Sequence, residues 1–341
     1  MRILLTGATG YLGNAVLRAL LDRGDTVIAL VRDPQRLFVT GPTDRLRVVR
    51  GDLLDPHSYR TYLDAVDAVI HIAALVKVWV RDLTLFERVN VEATERIIRL
   101  AQEHGVAKIL YTSSFIALGP SPSDHPLDES ATPRPPFYNA YHRTKALALQ
   151  RVRMLKAEGA PVIVLFPGVI YGPGVRTAGN FVAGMLHDFL TGRLPGYIGH
   201  GHQRWCFAWI DDVVRGFLQA LDRAEPGAEY ILGGENRSLR ELFQEAAAVA
   251  QRRPPRFSIP GPIVQAIAGM QFVWDRLRGR EPRAKPDAVR ILLHDWMFSS
   301  DRAQRELGYT ITPFTTGIRA TVHWLIGETG TVSPSDVRLQ D

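Results

Sequence analysis

TGATGYLG (residues 6–13) follows the apolar run RILLT (2–6) and leads into residues 11–23, whose apolar positions recur at helical spacing. The stretch therefore reads as a strand, a glycine turn and a helix. Gly7 permits a tight turn, Gly10 lets a backbone approach a pyrophosphate, and Gly13 lets helix and strand pack closely. The helix N-terminus then offers unpaired N–H groups and a positive dipole end to phosphates. The spacing, G-x-x-G-x-x-G, is one residue longer than the G-x-G-x-x-G dinucleotide fingerprint. A purely structural turn is the alternative, but the strand-to-helix setting favours dinucleotide binding.

Working outward, the first half keeps alternating. TVIAL (26–30) and LRVVR (46–50) are followed by a helix over 56–66, AVIHIA (68–73) by one over 84–104, and KILYTS (108–113) by one over 138–158 before PVIVLF (161–166). Such alternation predicts a parallel sheet with helices on both faces. After FPGVIYGPG (166–174) come a helix at 177–191, the run CFAWI (206–210), a helix at 211–223, EYILGG (229–234), and further helices at 238–251, 262–279, 300–307 and 315–327. The expected fold is α/β, a Rossmann-type doubly wound parallel sheet with a smaller, mostly helical C-terminal substrate domain. The cofactor domain is expected over 1–170 with returns near 203–233, and the substrate domain over 171–202 and 234–341.

Composition excludes several classes. The 341 residues are 46% hydrophobic and 22% charged, as in ordinary globular proteins. A lone cysteine, Cys206, forbids an internal disulfide and fits a reducing compartment. The chain enters a strand at once, without a charged-then-apolar leader, and has no apolar run of membrane-spanning length, so a cytoplasmic protein is expected. The net charge of +6 invites a nucleic-acid partner. Its arginines are spread along the chain and no nucleic-acid motif accompanies them, so none is expected. Only five of the 41 cations are lysine, which singles out each one.

One lysine has a tyrosine four residues before it: NAYHRTK (139–145) sets Tyr141 and Lys145 on one helix face. A phenol titrates near 10, and an ammonium beside it favours the phenolate, as acid/base work near neutrality requires. Lys145 can also reach ribose hydroxyls. The bland alternative is a surface tyrosine beside a lysine. Upstream, LYTSSFIALG (110–119) ends a strand in Thr112, Ser113 and Ser114, any of which could hydrogen-bond a reacting oxygen or simply cap a turn. GDLLD (51–55) offers Asp52 to an adenine amino group and Leu53 to cover the ring, and HIAA (71–74) offers the small Ala73 and Ala74 beside a ribose.

Together with VNVEAT, YTSS, FPGVIYGPG, WIDDV and DRAQRELGY, these stretches make the chain resemble the extended short-chain dehydrogenases/reductases over essentially its whole length. Its nearest likeness is the dihydroflavonol-reductase-like branch, which includes hopanoid-associated sugar epimerases and has 3β-hydroxysteroid dehydrogenases as cousins. The resemblance implies Tyr141 as acid/base, Lys145 as its activator and ribose ligand, and Ser114 as the donor that orients a carbonyl. It implies a pyrophosphate held by Gly7, Gly10 and Gly13 with Thr9, Tyr11 and Leu12 of the same loop. Adenine would sit at Asp52 and Leu53, ribose at Ala73 and Ala74, and nicotinamide against Pro167 and Val169, with Asn90 bracing the site. The family also dimerises through helices corresponding to 84–104 and 138–158.

The choice of cofactor turns on IALVRDPQRL (28–37). NAD users of the family end this strand in an acid; here Val31 stands there and Arg32 follows, with Arg36 within reach of the same phosphate. NADP is expected and NAD is the alternative, since Asp33 lies close by. In RWCFAWIDDV (204–213), Trp209 replaces the histidine of nucleotide-sugar enzymes and Arg204 falls out of step with their diphosphate-gripping arginine. Trp205, Phe207, Trp209 and Tyr197 suit a hydrophobic ketone or alcohol, unless they are core. The expected activity is hydride transfer between NADP and a carbonyl or hydroxyl of an apolar small molecule. The alternatives are an NAD-dependent nucleotide-sugar epimerase or dehydratase, and a non-enzymatic nucleotide-binding protein. His200 and His202 lack further ligands at useful spacing, so no metal is expected. PIVQAIAGMQFVWDRLRGR (262–280) carries an apolar stripe at 263, 267, 270, 274 and 277. It is expected to pack under a substrate lid or against a second copy, with peripheral membrane contact, known among steroid-dehydrogenase relatives, as the alternative.

Overall fold

The computed structural model describes residues 1–39, 41, 43–77, 80–194, 196–280 and 286–331. The first half runs β1 (Arg2–Thr6), α1 (Tyr11–Asp22), β2 (Thr26–Val31), β3 (Leu46–Arg50), β4 (Ala68–His71), α2 (Thr84–Glu87), α3 (Ala93–Glu103), β5 (Lys108–Thr112), α4 (Ala140–Ala157) and β6 (Val162–Pro167). It continues through β7 (Val169–Tyr171), α5 (Phe181–Leu190), β8 (Tyr197–Ile198), β9 (Arg204–Trp209), α6 (Ile210–Arg223), β10 (Glu229–Leu232) and β11 (Glu235–Ser238). The last elements are α7 (Leu239–Val249), β12 (Ser258–Ile259), α8 (Gly261–Leu277), α9 (Pro286–Leu292), α10 (Asp301–Leu307) and α11 (Phe314–Thr331).

Seven strands pair in parallel in the order β10-β6-β5-β4-β1-β2-β3. Their alternating side chains feed two cores. Leu4, Val69, Ile109 and Val164 meet Ile97, Ile98, Leu149 and Val152 of α3 and α4 on one face. Ile3, Leu5, Ile70 and Leu165 meet Val16, Leu17, Val213 and Phe217 of α1 and α6 on the other. Burial on both faces is why these strands read as unbroken apolar runs. Because β1 lies between β2 and β4, the crossovers diverge there and leave a crevice at the carboxyl ends of β1 and β4. The glycine turn, HIAA and Ser113–Ser114 all follow strands into that edge.

Some elements differ from the sequence reading. Residues 56–66 form two 3-10 turns, Pro56–Ser58 and Arg60–Ala65, instead of a helix. Asp55 caps His57 N–H and Ser58 Oγ donates to Asp55 O, local bonds that compete with an α ladder. The helix over 84–104 is interrupted by a π-helical turn at Arg88–Glu92. Of the segment 203–233, β10 joins the edge of the large sheet and α6 packs on α1, whereas β9 forms a second sheet with β7 and the polar strand β11. No described helix is long and apolar enough to cross a membrane.

Candidate active site

The glycine turn is shaped by backbone contact. Gly7 adopts φ +83°, and a Cβ there would lie 2.7 Å from Ala73 N. A Cβ on Gly13 would collide with the Gly7 carbonyl, so α1 can pack this closely only without one. Gly10 N–H donates to Gly7 O at 2.9 Å, and Gly10 opens α1 without a side-chain cap. The N–H groups of Tyr11, Leu12 and Gly13 consequently meet no acceptor among the described residues, the arrangement that receives phosphate. Thr9 is half-buried in the turn. The Tyr11 hydroxyl is committed elsewhere, donating to Gly172 O at 2.9 Å, so its backbone alone is free for a ligand.

At the end of β2, Val31 is buried, while Arg32 and Arg36 are exposed and have no side-chain partner among the described residues. The Asp33 carboxylate accepts Gln35 N–H at 3.1 Å, capping the turn Pro34–Arg36. Asp52 is half-buried and one of its oxygens accepts Leu54 N–H at 2.9 Å. Leu53 is buried, in the same core cluster as Leu30 and Tyr59.

A network that the sequence reading missed holds this edge together. Ala73 N–H donates to Thr6 Oγ1 at 3.2 Å, and the Thr6 hydroxyl shares a hydrogen bond with His71 Nδ1 at 2.8 Å. His71 Nε2 shares a second hydrogen bond with Thr94 Oγ1 at 3.1 Å. Burial, with the nearby Lys145 charge, pushes His71 down to about 3, keeping it neutral. The clue in the sequence was a histidine closing the apolar strand AVIH, whose register sets His71 beside Thr6.

Asn139 caps α4 through His142 N–H at 2.8 Å and so starts the helix that carries Tyr141 and Lys145. Lys145 is buried; its Nζ donates to Thr112 O at 2.8 Å and lies 5.3 Å above the Tyr111 ring, which stacks on His71. Ser114 Oγ caps Ile116 N–H at 3.4 Å, at the end of the strand that faces the start of α4. The three residues thus converge at the ends of β5 and α4. Burial sets their acidity. Burial raises Tyr141 to about 12, with the nearby Ser114 side chain opposing, and burial lowers Lys145 from 10.5 to about 7.

Beside them, the hydroxyls of Tyr111, Thr112 and Ser113 are buried without a hydrogen-bond partner among the described residues. Asn90, on the π turn, accepts Leu75 N–H at 2.7 Å and donates to Thr144 Oγ1 at 3.1 Å, tying the loop after β4 to α4. Ala73 and Ala74 are half-buried in that loop. Pro167 and Val169 are buried beside Ser113, whose N–H donates to Leu165 O at 2.8 Å.

The expected aromatic lining is mostly core: Tyr197, Trp205 and Phe207 are all at most 3% exposed, and only Trp209 is half-buried. A different aromatic wall adjoins Ser114 and Tyr141. Tyr138 stacks on His294 at 4.5 Å between centroids and meets Trp296 edge-on, as does Phe115. These residues are too far apart in sequence to have been grouped.

The family model for the NAD dependent epimerase/dehydratase family matches residues 3–233. The chain belongs to this family. As an extended short-chain dehydrogenase/reductase it is an NAD(P)-dependent enzyme. The family member sterol demethylase protein B of Methylococcus capsulatus is 31% identical over 95% of this chain and 98% of its own. The 2-alkyl-3-oxoalkanoate reductase of Stenotrophomonas maltophilia is 30% identical over 91% and 94%. The crystal structure of gox2253 superposes with TM-score 0.77 at 30% identity, covering 96% and 98%.

Proposed function

We propose that this family member uses NADP(H) to exchange hydride with a carbonyl or hydroxyl carbon of an apolar small molecule. The observation that carries the reading is Lys145, buried one turn beyond Tyr141 on α4, with its Nζ donating to Thr112 O at 2.8 Å two residues before Ser114. The chain's residues fit the cofactor: the Gly7 cradle excludes any side chain, and the first N–H groups of α1 are unpaired. Gly7, Thr9, Gly10, Tyr11, Leu12 and Gly13 would hold the pyrophosphate, mostly through backbone. Arg32 and Arg36 would take the 2′-phosphate, Asp52 and the Leu53 backbone the adenine, and Ala73 and Ala74 the ribose. Pro167 and Val169 would flank the nicotinamide, which supplies or accepts the hydride when bound. Residues 1–170, with returns near 203–233, would carry the cofactor, and 171–202 with 234–341 the substrate.

Ser114 would hydrogen-bond the substrate oxygen. Tyr141, protonated at neutral pH, would deliver its proton to that oxygen during reduction. Lys145, buried one turn along α4, would bind the ribose hydroxyls, and its ammonium form would favour the Tyr141 phenolate left after proton transfer. Asn90 would keep α4 and the loop after β4 in register. An apolar substrate is supported by the Arg204 guanidinium, which is occupied with Ser123 O and so is not offered to a diphosphate. The names of the sterol and oxoalkanoate enzymes among the relatives support it too.

With NADPH and a panel of apolar ketones, Tyr141→Phe is expected to lower kcat by about 10²–10⁴-fold while leaving the NADPH Kd within about twofold. Undiminished turnover would overturn the reading. Arg32→Ala should weaken NADPH by about 10–100-fold and leave NADH unchanged. A wild type that prefers NADH, indifferent to that change, would restore the NAD-dependent epimerase.

A further inference from the structure

His294 stands two residues beyond α9, and its surroundings hold it still. Its Nδ1 lies 2.7 Å from Arg290 O, one helical turn back. A backbone carbonyl only accepts, so Nδ1 carries the hydrogen, and in a neutral ring Nε2 is left as a bare acceptor. The His294 carbonyl takes Trp205 Nε1–H at 3.1 Å, and the ring stacks on Tyr138 with centroids 4.5 Å apart. Two residues on, Trp296 is stitched to β9 through both backbone groups and donates Nε1–H to Ile291 O at 2.8 Å. An exposed side chain ordinarily hops between rotamers. This histidine is half-buried and fixed from three sides, and its Nε2 has no partner among the described residues.

The free nitrogen lies at one end of an aromatic wall whose other end adjoins the proposed reaction. Phe115 follows Ser114 directly, and Trp296 meets Phe115 at 5.6 Å and Tyr138 at 6.3 Å, both edge-on. Tyr138 is three residues before Tyr141. The loop that joins Ser114 to Tyr141 is tied to the same stretch: Ser121 N–H donates to Asp295 O at 2.9 Å, and Ser121 Oγ accepts Met297 N–H at 2.9 Å. Phe115, Tyr138 and His294 each keep some exposed surface, whereas Trp296 is sealed. Three accessible rings with one acceptor nitrogen at the far end match a ligand that is apolar along its length and polar at two points.

We propose that His294 selects the substrate, Nε2 accepting a hydrogen bond from a hydroxyl carried on an apolar ring system at the end remote from the reacting carbonyl. The proposal rests on that carbonyl being reduced between Ser114 and Tyr141, and adds a second polar contact to it. An alkyl chain gains burial from the wall, but flat rings gain in addition from its stacked and edge-on side chains. A remote carboxylate or phosphate is a poor match, because a bare acceptor nitrogen offers it no hydrogen. A hydroxyl supplies one, and a substrate lacking it leaves the nitrogen desolvated and unpaired.

Three bicyclic ketones test this at about pH 8, where imidazole is neutral: 6-hydroxy-2-tetralone, its methyl ether, which cannot donate, and 2-tetralone itself. With NADPH, wild type is expected to favour the hydroxy ketone over the other two by about tenfold in kcat/KM. In His294→Phe, whose ring can still stack on Tyr138, that ratio should fall to about one. His294→Gln, which restores an acceptor, should recover part of it, with far-UV circular dichroism and Tm compared across the variants. Binding is read separately from turnover, by NMR of protein labelled with nitrogen-15 histidine in the presence of NADP. The His294 signals are assigned by their loss in His294→Phe. The hydroxy ketone should shift the Nε2 resonance and the ether should not. An Nε2 signal that the hydroxy ketone leaves unmoved, or reduction by wild type without preference among the three, overturns the role of His294. A shifted Nε2 with none of the ketones reduced supports that role and overturns the proposed reaction instead.

Discussion

α4 and α8 are almost equal in length, 18 and 17 residues, and both break the rule of apolar inside and polar outside. They break it in opposite ways. α4 buries His142, Thr144 and Lys145, and the chain itself answers: Lys145 meets Thr112 O, Thr144 meets Ala140 O and Asn90, and His142 Nδ1 accepts Tyr138 N–H. α8 exposes six large apolar side chains and nothing described in the chain answers them. A violated pattern with internal partners is a site prepared for chemistry; one without is a surface prepared for something outside the molecule.

The sharpest way to break the contrast is Lys145→Met, which removes the buried charge from α4. We expect kcat to fall by about 10²–10⁴-fold. Stability should report the same group. Folded Lys145 titrates at about 7 and unfolded lysine at 10.5, so between those values the unfolded chain holds the extra proton. Wild-type stability should therefore climb as pH rises from about 7 to 10.5, and urea melts across that window should show the climb missing in the variant. The histidines act at the other end. His71 and His142 are held at about 3 and 4 against an ordinary 6.5, so stability is lost as pH falls from 6.5 toward those values.

A paired truncation comes next. Leu149→Ala, on the core face of α4, should cost about 2–5 kcal/mol in urea denaturation. Met270→Ala, the same kind of truncation on α8, should stay within about 0.5 kcal/mol, because Met270 is already in solvent. Equal losses at the two positions would mean that the α8 stripe is covered in solution, and the distinction between the helices would disappear.

Most of the sheet was legible because its strands are buried on both faces and its helices are long, patterns that survive as local periodicity. The glycine turn was legible for the same reason: Gly7 and Gly13 answer to backbone geometry within and beside their own segment. Legibility stopped where partners come from afar. The 3-10 turns at 56–65 arose from side-chain bonds of Asp55 and Ser58 that no period announces. β11, written ENRS, is a strand only because β9 lies beside it. His71 and Tyr111 gain their part in the site from Thr6, Thr94 and Lys145, which are distant in the chain.

By itself, then, the amino-acid order determined the doubly wound sheet, the turn at its first strand and the sequence of Ser114, Tyr141 and Lys145 along the site, since each rests on spacing and backbone freedom. Only the tertiary structure decided that Trp205 and Phe207 are core, that the Tyr141 phenol is raised rather than lowered, and that the stripe of α8 faces outward. Burial belongs to the company a residue keeps, and charge, acidity and exposure all follow from it.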